Sequence, residues 1–166
     1  NEPAASPFAN VDLVILGDVP PEKITEQIWE QIRQFVTDGG TLVISPGKRF
    51  MPLAHRSEIL DQLLPVQKLR PFTSTDRTGD TTPLLRGLPI QLTVDGEQQP
   101  MLQFAADPIQ NQNIWVGFPG QMWVMLGETK PAATVWATTL LPAALADPLT
   151  NDRRHGLIVH QHLGSG

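Results

Sequence analysis

Two short apolar runs flank an amphipathic segment near the start of the chain. Residues 13–16 and 42–44 are aliphatic at every position. Between them, over residues 28–36, apolar residues recur at helical spacing and polar residues occupy the other face. A run that is apolar throughout is typical of a strand buried on both faces of a parallel sheet. The pattern therefore predicts a strand–helix–strand unit over residues 11–47, with a right-handed crossover.

The same segment carries signals for the two ends of the helix. Thr25 precedes it, and a threonine hydroxyl there can accept a hydrogen bond from a free N–H of the first turn. Glu26 places negative charge where the helix dipole favours it. Gly39 and Gly40 supply the left-handed residue that ends many helices. We therefore expect the helix to begin after Thr25 and to end before Gly39.

The rest of the chain shows weaker patterns. A short helix is predicted over residues 57–64, with Pro65 as its end, and a loop over residues 67–87, which are rich in Thr, Pro and Gly. Short strands are predicted at residues 90–94, 114–116, 123–126, 133–137 and 156–163. These elements indicate one α/β domain over residues 1–166. We expect a mixed sheet whose parallel half is N-terminal, with helices on its faces.

Composition fits a folded globular domain and excludes several functions. The net charge is −5, from 12 Lys and Arg against 17 Asp and Glu. The tightest basic cluster, Arg153-Arg154-His155, is too small for a nucleic-acid surface. No apolar run approaches the roughly 20 residues that span a bilayer, so no membrane insertion by this chain is expected. Cysteine is absent, which removes thiolate chemistry, and no cofactor is expected because glycine-rich phosphate motifs are missing.

The ends of the two predicted strands are the first place to look for a site. In an open α/β sheet, ligands gather beyond the carboxyl ends of the strands. Asp18 follows the first strand, and Ser45 and Gly47 follow the second. These residues are candidates for binding a ligand. An aspartate at such a position is more often the cap of a turn, so both interpretations stay open.

Ser45 is also a weak candidate for a nucleophile, because it follows a buried strand at a tight turn. A nucleophile elbow has small residues two positions before and after the nucleophile; Gly47 satisfies this requirement and Val43 does not. Pro46 lacks the N–H that would stabilise an oxyanion. A serine hydrolase nevertheless stays an alternative, with His55 or His155 as its base.

The last predicted strand carries a weak candidate for a metal site. His160 and His162 are two residues apart, so both would point to one face of a strand. Two imidazoles can bind a metal, but no third ligand is evident nearby. Aromatic side chains could line a pocket, although aromatic residues on short strands more often belong to the core. The aromatic residues concerned are Trp115, Phe118, Trp123 and Trp136.

Several stretches together resemble a known family. The strongest are DLVILGDVP at residues 12–20 and FVTDGGTLVI at residues 35–44. They resemble the class I glutamine amidotransferase-like fold, a flavodoxin-like architecture. More narrowly, they resemble the degenerate version found in large bacterial membrane-anchored proteins, often alongside von Willebrand factor type A domains. The later stretches that fit are residues 92–96, 100–102, 114–115, 130–133 and 154–159.

The resemblance implies a fold without the amidotransferase reaction. Active members of the family place a cysteine at the elbow, with histidine and an acidic residue as partners. Ser45 stands at the cysteine's position and Pro46 follows it. We therefore expect a non-catalytic binding or interaction module of a larger bacterial envelope-associated protein. Its partners would be other domains of that protein or separate proteins.

Two further expectations complete this interpretation. The chain begins at Asn1 and ends at Gly164-Ser165-Gly166, which indicates a piece of a longer protein. The resemblance implies that this longer protein is membrane-anchored. The alternative to an interaction module, besides the hydrolase, is a small-molecule or sugar-binding domain that uses Asp18 and the turn after Ile44. Neither the ligand nor the compartment follows from the sequence.

Overall fold

The computed structural model describes residues 7–74, 87–146 and 152–166. The chain forms two compact units. The first unit comprises Asn1–Pro65 and Gln161–Gly166, and the second unit comprises Val66–His160. The expectation of a single domain over residues 1–166 stays a prediction.

The first unit contains the strand–helix–strand arrangement that the sequence predicts. Its elements are β1 (Leu13–Leu16), a 3₁₀ turn (Pro21–Lys23), α1 (Glu26–Thr37), β2 (Thr41–Ile44) and α2 (Glu58–Leu63). β1 and β2 pair in parallel, with Leu13 opposite Thr41 and Leu16 opposite Ile44. The parallel strands and the helix between them are therefore confirmed.

Both helices of the first unit begin at a capping hydroxyl, which the sequence predicts for α1. The Thr25 hydroxyl accepts a hydrogen bond from the Ile28 N–H at 3.4 Å, and α1 ends before Gly39, whose φ is +111°. The Ser57 hydroxyl caps α2 in the same way. The buried face of α1 consists of Trp29, Ile32, Phe35 and Val36. This face is the apolar stripe that the helical spacing predicts.

The expectation that β1 and β2 are buried on both faces is wrong. Exposure alternates along both strands: Leu13 and Ile15 are 48% and 64% exposed, while Val14 and Leu16 are half-buried. In β2, Val43 is exposed and its neighbours Leu42 and Ile44 are half-buried. The physical reason is that the described elements of the first unit cover only one face of this two-stranded sheet.

The second unit is built mainly from antiparallel strands. β3 pairs with β5, and a three-stranded sheet has the order β4-β6-β7. The core contains Phe72, Leu88, Val124, Leu126 and Leu141. The elements are β3 (Val66–Thr73), β4 (Gln91–Leu92), α3 (Val94–Glu97), α4 (Pro108–Gly117), β5 (Trp123–Thr129), β6 (Thr134–Leu140) and β7 (Arg154–His160), with 3₁₀ turns at Pro100–Leu102 and Ala143–Leu145.

The α/β class is confirmed, and the arrangement of the sheets differs from the expectation. Among the described residues, the parallel pair and the antiparallel strands belong to separate sheets of two or three strands rather than to one mixed sheet. The flavodoxin-like arrangement is not confirmed.

Three local predictions in the second unit are wrong. Residues 114–116 lie in α4 instead of a strand, because the Asp107 carboxylate and Pro108 begin a helix there. Residues 94–97 form the short helix α3, and only Gln91–Leu92 are a strand. Residues 67–73 are part of β3, an irregular strand with a register shift between Gln67 and Arg70. The remainder of the predicted loop, residues 75–86, lies outside the described residues.

Candidate functional site

Asp18, the first candidate ligand residue, holds a loop of its own chain. Its Oδ1 accepts hydrogen bonds from the N–H groups of Phe50 and Met51 at 2.8 and 2.9 Å. Its Oδ2 accepts another from the Arg49 N–H at 3.1 Å. These bonds, led by the one from Met51, lower the pKa of Asp18, because they stabilise the ionised carboxylate. The carboxylate therefore caps the loop after β2.

Gly47 lies against this carboxylate. A Cβ at position 47 would lie 2.0 Å from the Asp18 Cγ, so only glycine fits there without a shift of its surroundings. The Gly47 N–H donates to the Met51 carbonyl at 2.8 Å, which closes the loop. The structure thus brings Asp18 and Gly47 together, as the strand-end argument predicts, in an arrangement that satisfies polar groups of the chain itself. Their predicted role in binding a ligand stays a prediction.

Ser45 is exposed at the end of β2 and has no catalytic neighbour among the described residues. Its N–H donates to the Leu16 carbonyl at 2.8 Å, which continues the β1–β2 ladder. The Ser45 hydroxyl forms no hydrogen bond within the described parts of the chain. Because Pro46 has no N–H and the Ser45 N–H is occupied, neither can stabilise an oxyanion as placed.

His55, one candidate base for Ser45, has another partner. Its Nε2 lies 2.8 Å from the Val19 carbonyl oxygen, which can only accept, so Nε2 carries the proton and donates it. The ring also meets the edge of Trp29, with 5.6 Å between centroids and an interplanar angle of 84°. Through these contacts, His55 is part of the packing of the first unit.

His155, the other candidate base, lies on β7. Its Nε2 accepts a hydrogen bond from the Gly127 N–H at 3.0 Å and thereby links β7 to β5. Burial, helped by the nearby Arg70 guanidinium, lowers the pKa of His155. The imidazole is therefore neutral at pH 7, with its proton on Nδ1.

The two candidate metal ligands do not share a strand face. β7 ends at His160, whose ring stacks on Trp136 with 4.5 Å between centroids. His162 follows the strand, and its Nδ1 lies 3.3 Å from the Gly166 carbonyl oxygen. Within residues 7–74, 87–146 and 152–166, no group of three His, Asp or Glu side chains is placed to hold a metal ion.

A cleft that the sequence does not predict lies in the second unit. It has a volume of about 380 Å³ and is lined by β4, α3, α4 and the turn between the two helices. α4 contributes two rows of residues at i, i+3 and i+7. The exposed row is Ile109, Gln112 and Val116, and the second row is Pro108, Asn111 and Trp115. Glu97 and Gln103 add a carboxylate and an amide to the lining.

The inner wall of the cleft is held by buried hydrogen bonds. The Trp115 indole donates to the Leu102 carbonyl at 3.0 Å. The buried Asn111 amide donates to the same carbonyl and accepts from the Phe104 N–H at 2.8 Å. Because these polar groups are paired and buried, the wall is a fixed part of the second unit.

An exposed apolar surface surrounds this wall. Ile109 and Val116 are 70% and 68% exposed, and Phe104 and Phe118 are 56% and 40% exposed. The rings of Phe104 and Phe118 contact each other, and both contact the Trp115 ring at a centroid distance of 5.3 Å. Trp115 also lines the cleft beside Ile109 and Val116. We call these five residues, Phe104, Ile109, Trp115, Val116 and Phe118, the α4 surface.

The sequence contains only part of the signal for the α4 surface. Trp115 and Phe118, two of the four aromatic residues considered for a pocket, lie together in it. Trp123 and Trp136 lie on β5 and β6. The apolar residues of α4 are not confined to one stripe. A helix with this pattern cannot bury all of its apolar residues against one neighbour, so the pattern itself indicates exposed apolar side chains.

Comparison with known proteins identifies no relative of this chain. No protein-family model matches the chain, and no curated protein matches its sequence. Among the described residues, no helix is long and apolar enough to cross a membrane.

Proposed function

We propose that this chain is a non-catalytic interaction module that binds a protein partner through the α4 surface. The observation that carries the proposal is a group of exposed apolar residues beside the buried Trp115: the Phe104 and Phe118 rings contact its ring, and Ile109 and Val116 line the same cleft as Trp115. Exposed apolar patches rimmed by polar residues mark interaction sites. Aromatic anchors in a fixed wall contribute strongly to such interfaces.

The extent of the apolar surface favours a protein partner over a small molecule. The cleft volume of about 380 Å³ is near the lower end of the range of ligand pockets, roughly 300–1,000 Å³. Phe104 and Phe118 lie outside the cleft lining and are nevertheless exposed. A small ligand in the cleft would leave these two rings in water, whereas a protein segment would cover them.

The absence of catalysis is supported by the surroundings of Ser45. Its hydroxyl has no base among the described residues, and Pro46 supplies no oxyanion donor. We expect that a fluorophosphonate probe, which reacts with activated serines, leaves the wild-type chain unlabelled. Labelling that is lost in Ser45→Ala would contradict this part of the proposal and favour the hydrolase.

The finer proposal is a flavodoxin-like, degenerate class I glutamine amidotransferase-like module of a larger bacterial envelope-associated protein. The parallel pair of β1 and β2 around α1 supports the architecture, and the resemblance of residues 12–44 supports the family. The partner would then be another domain of the parent protein or a separate protein.

The α4 surface is tested with two synthetic amphipathic helices of about 18 residues, a length of about 27 Å. Both have leucines at the same positions, and the polar face is all Lys in one and all Glu in the other. At about 1 M salt, where the Debye length is about 3 Å, charge effects are screened. We expect saturable binding of both peptides to the wild-type chain, measured by calorimetry.

The variant for this test is Ile109→Ser/Val116→Ser, which removes apolar contact without changing charge. We expect a loss of affinity of at least about tenfold, because truncation of interface anchors costs more than about 1 kcal/mol each. The matched control is Ile15→Ser/Val43→Ser, which removes exposed aliphatic side chains from the first unit. Equal affinities of both variants, or no binding to the wild type, would refute the proposed surface.

A further inference from the structure

We propose that the partner segment is a basic amphipathic helix that packs along α4, with its Lys or Arg side chains toward the carboxylates around the α4 surface. This inference rests on the proposed function and adds the conformation and the charge of the partner. Two independent observations carry it. One is the spacing of residues along the cleft, and the other is the sign of charge around it.

The first observation is the exposed row on α4. Ile109, Gln112 and Val116 are spaced i, i+3 and i+7 and all line the cleft. Seven residues of an α-helix rise about 10.5 Å, so Ile109 and Val116 form a ridge two turns long. A partner helix carries ridges and grooves with the same spacing and can interdigitate with this one. Recognition of a helix in a groove uses anchors at these intervals.

The second observation is an unbalanced negative charge. The stretch of residues 87–129 contains no Lys or Arg. Asp95, Glu97 and Asp107 are all exposed, and Asp95 and Asp107 lie within two residues of the lining residues Glu97 and Pro108 in the sequence. Glu97 lines the cleft itself. The ion pairs among the described residues are Glu30–Arg33, Lys68–Glu128 and Asp152–Arg154, so none of them neutralises the three carboxylates.

The charge also argues against other macromolecules as the partner. Nucleic acids and the anionic lipids of membrane surfaces carry negative charge, which these carboxylates would repel. A protein segment with Lys or Arg beside its apolar anchors gains attraction at the rim and burial at the centre. The observations therefore favour a basic amphipathic helix.

The test compares the Leu/Lys and Leu/Glu peptides at low salt, about 0.02 M, where exposed charges are weakly screened. We expect the wild-type chain to bind the Leu/Lys peptide about tenfold more tightly, which corresponds to about 1.4 kcal/mol. The preference should disappear at about 1 M salt. It should also fall at low salt in Asp95→Asn/Glu97→Gln, which keeps the shape of both side chains and leaves Asp107 as the one remaining carboxylate of the three.

The matched control is Asp12→Asn/Glu22→Gln, which changes the net charge equally at exposed positions of the first unit. This control should keep the preference for Leu/Lys, because Asp12 and Glu22 belong to the first unit and the α4 surface belongs to the second. Circular dichroism and the melting temperature establish that each variant is folded. An undiminished preference for Leu/Lys in Asp95→Asn/Glu97→Gln would overturn the inference that the carboxylates around the α4 surface attract the peptide.

The outcomes separate this inference from the proposed function. Equal binding of both peptides at low salt, lost in Ile109→Ser/Val116→Ser, would overturn the basic partner and leave the docking surface standing. Failure of both peptides to bind at any salt concentration would overturn both proposals. Sedimentation that shows self-association abolished by Ile109→Ser/Val116→Ser would identify a second copy as the occupant and also overturn the basic helix.

Discussion

At the scale of single residues, Asp18 shows how one carboxylate organises the loop where a site was expected. Its two oxygens accept three backbone hydrogen bonds, and its side chain packs against the Cα of Gly47. Asp18 and Gly47 lie close together because the two parallel strands that precede them end at the same edge of the sheet. The sequence predicts both strands and therefore this proximity. The capping role of Asp18 depends on the backbone conformation of residues 48–51. The pattern of apolar and polar residues does not predict that conformation.

The close approach of Gly47 to Asp18 gives a test of this loop. Gly47→Ala should lower the free energy of unfolding by about 1–3 kcal/mol, the usual cost of overpacking, because its Cβ would clash with the Asp18 carboxylate. Gly17→Ala is the matched control, since a Cβ at position 17 has nothing within 4 Å. Urea unfolding measures both variants. Equal stability of the two would contradict the packing described for Asp18.

His155 should make the stability of the chain depend on pH. Burial lowers its pKa below the ordinary value of 6.5, so the unfolded chain binds a proton more readily than the folded chain. The contribution of His155 is complete above pH 6.5 and is lost as the pH falls through the folded pKa. Protonation also removes the Nε2 acceptor from the Gly127 N–H.

The measurement is urea unfolding of wild type and His155→Gln between pH 8 and pH 5. Wild type should lose more stability than the variant over this range, because glutamine does not titrate and its carbonyl can still accept from Gly127. The same pH dependence in both proteins would show that another group is responsible.

At the scale of elements, predictions succeeded where local signals agreed with each other. α1 has a cap at Thr25, an apolar stripe and a glycine at its end, and each of these is visible in the sequence. α4 has a short apolar run at residues 114–116, which periodicity alone cannot assign to a strand or a helix. The Asp107-Pro108 pair that begins α4 was the deciding signal. Exposure of β1 and of the α4 surface depends on tertiary packing, which propensity does not report.

The start of α4 offers a test at this scale. The Asp107 carboxylate accepts a hydrogen bond from the Gln110 N–H at 2.8 Å. Asp107→Ala should destabilise the second unit by about 1 kcal/mol, and Asp107→Ser should be close to wild type, because serine is also a good N-cap. Hydrogen exchange of the α4 amides should become faster in the alanine variant alone. Unchanged exchange in Asp107→Ala would contradict the capping role.

At the scale of the whole molecule, the distribution of charge is more informative than its sum. A net charge of −5 in 166 residues is within the ordinary range for a folded protein of this size. Residues 87–129 contain acidic residues but no Lys or Arg, and the same stretch carries the α4 surface. Leu13, Ile15 and Val43 give the β1–β2 sheet an exposed aliphatic face, and this face belongs to the first unit. We assign binding to the α4 surface.

The measurement that tests this assignment most directly is a nuclear magnetic resonance titration of the isotopically labelled chain with the Leu/Lys peptide. We expect shifts concentrated in residues 101–118, with the Trp115 indole and the methyl groups of Ile109 and Val116 among the most affected signals. Shifts concentrated at Leu13, Ile15 and Val43, or in the loop that Asp18 caps, would contradict it.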